Sequence, residues 1–329
     1  MTVRIIAEVG SVHDGSFGNA GKLVEAAAAC GADAVKFQTH IAAAESLASA
    51  PSPGYFSAEP RMAYFNRTAF TAAQWRELKA LCGRCGVDFL SSPFSLEAVD
   101  LLEEVGVESY KIPSGEVTNL PLLERVTATG KPVLLSSGMS DWQELDAAVE
   151  RLRGGGPLTV MQCSSAYPCP PERVGLNVLA ELRERYDLPV GYSDHSRGLA
   201  AALAAVALGA SVIEKHFTFS RLMYGSDASN ATEPDEFAEL VAMIRELETM
   251  LAHPVDKDDV AAYRDMKRIF EKSVVTARPV SAGTVLSNAD LAFKKPGDGI
   301  SAARYREVVG RRVARDLPAD HQLLPGDLS

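Results

Sequence analysis

The sequence predicts an α/β protein, a (β/α)8 TIM barrel followed by a small β-rich domain. Two observations predict it. Short β-branched runs alternate with longer amphipathic helical runs eight times over about 250 residues, the count and length of a closed barrel. After about residue 252 that alternation stops, and short strands and turns take over. A doubly wound sheet usually stops nearer six strands, and no GxGxxG follows the first strand.

The first four strand runs are RIIAEVG (4–10), AVKFQTH (34–40), DFLSSPF (88–94) and SYKIPS (109–114). Four more follow: PVLLSSG (132–138), LTVMQCSS (158–165), PVGYSDHS (189–196) and VIEKHFT (212–218). Helical patterns follow the strands, for example at 19–32, 95–106 and 233–251, and Gly31, Gly86, Gly106, Gly130 and Pro189 punctuate the returns to strand. The segment 41–70, with Pro51, Pro53 and Pro60, is a long insertion after the second strand, where a barrel places active-site loops. Residues 252–271 read as a polar linker ending in a helix, and 272–329 as a small independent module. The predicted domains are therefore 1–251 and 272–329, joined by 252–271.

Composition narrows the function classes. The chain has 329 residues, 47% hydrophobic and 23% charged, as in an ordinary globular protein. It contains no apolar run of membrane-spanning length. MTVRIIAEVG lacks the basic-then-apolar layout of a signal peptide, which predicts a cytoplasmic protein. The net charge of −10, without a Lys/Arg stripe, argues against nucleic acid as a partner. An anionic substrate must therefore be held by local cations in a pocket. Five scattered cysteines, Cys30, Cys82, Cys85, Cys163 and Cys169, argue for reduced thiols. Cys82 and Cys85 form a CxxC in a helical stretch with no second pair, which predicts helix-surface cysteines, not a zinc site.

Barrel enzymes carry their chemistry at the carboxyl ends of strands. Side chains two apart on a strand share a face, so Lys36 pairs with Gln38, Ser193 with His195, and Glu214 with His216, while Lys215 points the other way. Cys163, Ser165 and Tyr167 share a face if the sixth strand persists that far. Unpaired charges inside a packed barrel cost several kcal/mol. Glu8, Lys36, Lys111, His195, Glu214 and His216 therefore need each other, a metal or an anionic ligand. Either an internal salt-bridge network or a ligand site meets that need. His195 and His216 end adjacent strands and are either core histidines or two ligands of one divalent ion. Lys36 and Lys111 with Ser114, Ser136 and Ser193 have the composition of a phosphate cradle.

These residues sit in a series of motifs: AEVGSVHDG (7–15), ADAVKFQT (32–39), SSPFS (91–95), YKIPSGE (110–116), LSSGM (135–139), YSDHS (192–196) and IEKHFT (213–218). In order and spacing the series resembles that of the bacterial N-acetylneuraminate synthases, the sialic acid synthase family. Residues 272–329 resemble that family's C-terminal antifreeze-like (SAF, β-clip) domain. The resemblance implies condensation of phosphoenolpyruvate with an open-chain N-acyl amino sugar, giving a nine-carbon 2-keto-3-deoxy sugar acid and phosphate. By position, His195 and His216 resemble the family's metal ligands, for Mn²⁺ or Mg²⁺. Lys36, Lys111, Ser114, Ser136, Ser193 and Ser165 (where an amide sometimes stands) resemble its phosphoenolpyruvate-binding groups. Glu8 and Glu116 match acidic residues at the reacting centre, either one a candidate to manage a proton. Gln38, Tyr167 and Asp227 match groups that contact the sugar. The resemblance also implies a homodimer in which each C-terminal module covers the partner's barrel mouth.

Two departures fall on the sugar side. Lys295, in KKPGDG, stands where the family commonly has an arginine, and lysine lacks the planar fork. Around Asp227 the run is MYGSDASNATEP, where many members have a Pro-Asp pair. The acceptor therefore stays open among N-acetylmannosamine, diacetylated 6-deoxy sugars and a phosphorylated sugar. A phosphorylated sugar needs an extra cationic patch, for which Arg61, Arg67 and Arg221 are the loop candidates. The alternative readings are another phosphoenolpyruvate-dependent sugar aldol synthase and an inactive carbohydrate-binding homologue. The C-terminal module has its own alternative as an ice- or glycan-binding unit, against which stands the lack of a repeating Thr array.

Overall fold

A computed structural model of the protein describes residues 2–51, 59–225 and 227–329. Pro53 of the long insertion lies outside the described residues. The chain divides into two compact units, Met1–His253 and Pro254–Ser329.

The first unit is a closed barrel of eight parallel strands: β1 (Arg4–Gly10), β2 (Ala34–Thr39), β3 (Asp88–Pro93), β4 (Tyr110–Ile112), β5 (Val133–Ser136), β6 (Leu158–Cys163), β7 (Val190–Asp194) and β8 (Val212–His216). Strands pair in sequence order, and β8 returns to β1 with Glu8 opposite His216. The helices of this unit are α1 (Phe17–Ala29), α2 (Ala42–Glu45), α3 (Arg61–Thr68), α4 (Ala72–Cys85), α5 (Leu96–Val105), α6 (Leu120–Thr127), α7 (Trp142–Leu152), α8 (Asn177–Tyr186), α9 (Ala200–Ala207) and α10 (Pro234–Ala252). Several start where a side chain caps a free N–H: Thr71 and Gln74 form a capping box on α4, Ser95 caps α5, and Asp141 with Glu144 caps α7. Gly86 and Gly106 end α4 and α5 at φ of 75° and 77°, a conformation that favours glycine.

Two cores position the site. Outside the strands, Ile5, Val35, Phe37, Phe89, Leu135 and Ile213 pack against the helices. Inside, Ile6, Ala34, Leu90, Leu134, Met161 and Val212 fill one layer. Two residues further along those six strands come Glu8, Lys36, Ser92, Ser136, Cys163 and Glu214, all buried. The period of two keeps them inward, so the apolar floor is followed directly by a polar layer at the carboxyl ends.

The strands are shorter than the sequence patterns at these ends. Strand β4 stops at Ile112, and Ser114–Glu116 forms a 3-10 turn. Strand β6 stops at Cys163, so Ser165 and Tyr167 lie in the following loop rather than on an extended face. The Ala166 N–H turns back to the Ser164 carbonyl. Cys82 corrects the expectation of surface cysteines: it is fully buried in the core on α4, and all five thiols are free.

The second unit opens with helix α11 (Arg264–Phe270), so residues 254–271 group with the module that follows. Strands β9 (Ser273–Thr276) and β10 (Leu291–Lys294) pair antiparallel, and isolated bridges join the remaining turns. It has its own core, in which Val274, Val280, Leu286, Val308, Val313 and Leu323 take part. Among the described residues no helix is long and apolar enough to cross a membrane.

Candidate active site

The polar layer begins as a charge network. Lys36 Nζ lies 2.9 Å from Glu8 Oε2 and 3.7 Å from Glu214 Oε1, and it donates to Ser92 Oγ at 3.3 Å. Lys111 donates to the same Glu214 Oε1 at 2.7 Å, and Ser193 Oγ adds a second hydrogen bond to that oxygen at 3.0 Å. Two lysines and two carboxylates therefore neutralise each other, as burial demands. Burial alone would lower Lys36 and raise Glu214. The Glu214 and Glu8 charges outweigh it at Lys36, whose pKa is raised. At Glu214 the Lys111 and Lys36 ammoniums prevail and hold the carboxyl down at about 2. Glu214 Oε2 is buried without a hydrogen-bond partner. An ammonium has three donor hydrogens, so Lys111, with one bond here, keeps donors to spare, whereas Lys36 already meets Glu8, Ser92 and, further off, Glu214.

Gln38, Asp227 and Glu8 converge on Gly10. Gln38 Nε2 donates to Glu8 Oε1 at 2.8 Å, and Asp227 Oδ2 is 3.4 Å from both the N–H and Oγ of Ser11. A Cβ at Gly10 would stand 2.6 Å from Asp227 Oδ2, 3.1 Å from Gln38 Nε2 and 3.4 Å from Glu8 Oε1. With φ at +54°, only glycine lets these three groups approach without strain.

His195 and His216 end neighbouring strands, with ring centroids 5.4 Å apart. His195 Nδ1 donates to the Ser164 carbonyl at 2.9 Å, which fixes the ring and leaves Nε2 its lone pair when the imidazole is neutral. Burial favours that neutral form, but the Cys163 thiol and the Ser164 carbonyl outweigh it and raise the His195 pKa. His216 Nδ1 is buried without a hydrogen-bond partner. Burial lowers the His216 pKa, and the charges of His195 and Lys36 add to that against Asp227 and Glu8. A neutral imidazole is the form that ligates a metal. The Tyr167 ring packs 4.2 Å from the His195 centroid. Among the described residues no cluster of three or more His, Cys, Asp or Glu is arranged to hold a metal. The two imidazoles and the orphan nitrogen thus fit a divalent ion that takes its other ligands from water or substrate oxygens. Behind them, Lys215 donates to Asp194 at 2.7 Å and to the Ser196 carbonyl at 2.9 Å, tying the ends of β7 and β8 together from the outer face.

The serines divide. Ser136 is buried at the end of β5, whereas Ser193 is committed to Glu214. Ser114 and Ser165 meet over Gly138, where an added Cβ would stand 2.6 Å from both hydroxyl oxygens. Glu116 stands apart from the network, held by Asn119 Nδ2 at 2.7 Å. Burial raises its pKa and the Glu45 charge adds to this, while the Asn119 bond opposes it. Lys295 belongs to the second unit, with Nζ 4.8 Å from the centroid of the Phe270 ring. Of the loop arginines, Arg67 pairs with Asp14 and Glu59, and Arg221 with Glu236. Ser92, His40, Gly10 and Gly138 also border the site, and none of them was expected from the sequence. His40 was within its reach, because it follows Gln38 by two on the same strand run.

Residues 23–256 match the NeuB family, and residues 271–329 match the SAF domain. The chain is 37% identical to N,N'-diacetyllegionaminic acid synthase of Campylobacter jejuni subsp. jejuni serotype O:2, over 96% of this chain and 97% of that protein. It is 33% identical to the N-acetylneuraminate-9-phosphate synthase of Homo sapiens, over 97% of this chain and 91% of that protein. Among solved structures, N-acetylneuraminic acid synthetase from Leptospira borgpetersenii serovar Hardjo-bovis superposes with a TM-score of 0.72 at 30% identity, covering 81% of this chain and 91% of that one. The chain belongs to the NeuB family of sialic acid synthase-type enzymes and carries a SAF domain at its C-terminal side.

Proposed function

We propose that the protein condenses phosphoenolpyruvate with an open-chain, unphosphorylated N-acyl amino sugar, such as N-acetylmannosamine or a diacetylated 6-deoxy sugar. The products are a nine-carbon 2-keto-3-deoxy sugar acid and phosphate. The observation that carries this is the polar layer itself, in which two lysines, two carboxylates and two imidazoles stand within one barrel mouth. The relatives named as legionaminic, pseudaminic and sialic acid synthases support it.

In this reading Lys36 and Lys111, with Ser114, Ser136 and Ser165, bind the phosphate and carboxylate of phosphoenolpyruvate. Gln38, Asp227 and Tyr167 orient the sugar so that its aldehyde carbon faces carbon 3 of the enol. Carbon 3 attacks that aldehyde, water adds at carbon 2, and phosphate leaves against the lysine charges. Glu116, whose pKa burial raises above the ordinary carboxyl range, or Glu8 manages the proton of that water. His195 and His216 would hold a divalent ion, which when bound supplies Lewis acidity to the aldehyde oxygen. The commitment of Arg67 and Arg221 to carboxylates supports an acceptor without a phosphate, whereas Arg61 stands over the Phe65 ring with its Nε unpartnered and is, among the described residues, the one of the three not held by a carboxylate.

Phosphate release from phosphoenolpyruvate tests this, with Mn²⁺ or Mg²⁺ added and with N-acetylmannosamine, its 6-phosphate and diacetylated 6-deoxy sugars screened. The expected result is release that depends on one unphosphorylated sugar and stops with EDTA. Release only with the 6-phosphate overturns the acceptor assignment. No release from metal-loaded protein with any sugar favours an inactive binder.

A further inference from the structure

The carboxyl end of β2 carries a side chain whose contacts reach further than the site described above. The His40 ring lies between Phe65 and Phe94, with centroids 3.8 Å and 4.1 Å away and planes tilted by 17° and 21°. Nδ1 donates to the Glu45 carboxylate, 2.8 Å from Oε2 and 3.0 Å from Oε1, and Nε2 donates to Gln38 Oε1 at 3.1 Å. The assignment follows from the ends of this chain of bonds. Glu8 can only accept, so the Gln38 nitrogen faces it and the Gln38 oxygen faces His40. Glu45 also can only accept, so both imidazole nitrogens donate.

An amide is nearly symmetric in shape, and without a donor on its oxygen side it can flip. Held as it is, Gln38 offers a second N–H and keeps Glu8 as an acceptor beside Lys36. The clamp is built from three separate elements. Glu45 ends the short helix α2, Phe65 lies on α3, and Phe94 follows β3. The His40 and Glu45 side chains are only 7% and 4% exposed, so the bonds between them are shielded from water.

We propose that His40 is a positioning residue for the acceptor sugar, acting through the Gln38 amide, with Glu45 and the two phenyl rings holding it in place. The proposal rests on the reading that Gln38 faces that sugar.

A double-mutant cycle between His40→Phe and Gln38→Ala tests it. The phenyl ring keeps the stack but cannot donate. The expected result is a fall of about 10-fold or more in kcat/KM for the sugar, with KM for phosphoenolpyruvate within about twofold of wild type. The double variant should be no worse than Gln38→Ala alone, because both lesions remove the same interaction. His40→Gln, which can still donate, should recover part of the loss. Since His40→Phe strands the Glu45 carboxylate, Glu45→Gln provides a second arm, with a smaller loss that Gln38→Ala also absorbs. Multiplicative losses, or equal losses for both substrates, overturn the assignment. Wild-type phosphate release is measured first with the same sugars. Its absence with every sugar removes the synthase reading and this proposal together, whereas release with multiplicative variants removes His40 alone.

Discussion

At the level of single residues, burial decides which side chains can be exchanged singly and which only in pairs. Glu214 Oε1 collects Lys111, Ser193 and, further off, Lys36. Lys111→Met would leave that carboxylate short of its nearest cation. Breaking a buried pair from one side costs about 3–5 kcal/mol, whereas replacing both members by apolar groups can be nearly neutral. Lys36 retains Glu8 at 2.9 Å in either case. Chemical denaturation should therefore show Lys111→Met strongly destabilised and Lys111→Met/Glu214→Leu largely recovered. Phosphate release should stay lost in both, since the cation is gone. Glu116 makes the opposite case. Burial raises its pKa, so the folded state binds the proton more tightly than the unfolded state. The sign follows by linkage: stability falls as pH rises from the ordinary carboxyl value through the raised one. Glu116→Gln keeps an oxygen for Asn119 and removes that penalty. Its denaturation midpoint should exceed that of wild type at neutral pH, with the gap closing as pH drops below the ordinary carboxyl range. Activity should be reduced, and a fully active variant would assign the proton to Glu8.

At the level of elements, the period of two explains most of what the sequence made legible. Ile6 to Glu8, Ala34 to Lys36 and Val212 to Glu214 are single inward steps on a strand, so the polar layer could be read from the runs themselves. The opposite orientation of Lys215 was legible for the same reason, though its partner Asp194 was not. What escaped lies past the last ladder bond, where backbone turns rather than alternation set direction. Ser165 is one such residue: the sequence could not tell whether β6 continued, and it stops at Cys163. Gly138 is another, because a glycine in LSSGM reads as a loop residue until two hydroxyls are seen across it. Gly138→Ala should leave the barrel folded, since Ser114 and Ser165 can rotate away from a methyl 2.6 Å off and the Cys163 carbonyl, at 3.2 Å, needs to give only slightly. The rotated hydroxyls then no longer converge. The expected outcome is a rise of about 10-fold or more in KM for phosphoenolpyruvate, with the thermal midpoint within a few degrees of wild type. An unchanged KM would detach these serines from the substrate.

At the level of the whole molecule, the two units each have a core, so the second can act as a separable part. Its first segment exposes Val255, Tyr263, Met266, Ile269 and Phe270. Apolar groups gathered on one stretch ask for a covering surface. The family resemblance supplies one in the form of a second chain, and we propose a homodimer in which each SAF domain serves the partner's barrel. Mixed dimers can distinguish this from a module that serves its own barrel. One chain carries Glu116→Gln, a disabled barrel with an intact module. The other carries Lys295→Ala, an intact barrel with an altered module. If the modules are exchanged, the mixed dimer brings one intact barrel and one intact module together, and activity should rise above that of either variant alone. If each module serves its own barrel, every site in the mixture has a defect and activity stays at the average of the two. Sedimentation of the wild type sets the frame for this result, since a monomer at assay concentration would rule out exchange. A fully active Lys295→Ala chain would relieve that lysine of any part in binding the sugar, and the deletion of 272–329 would then have to carry the test of the module. Loss of sugar-dependent release in that deletion, with the barrel still folded, is the outcome expected of a lid.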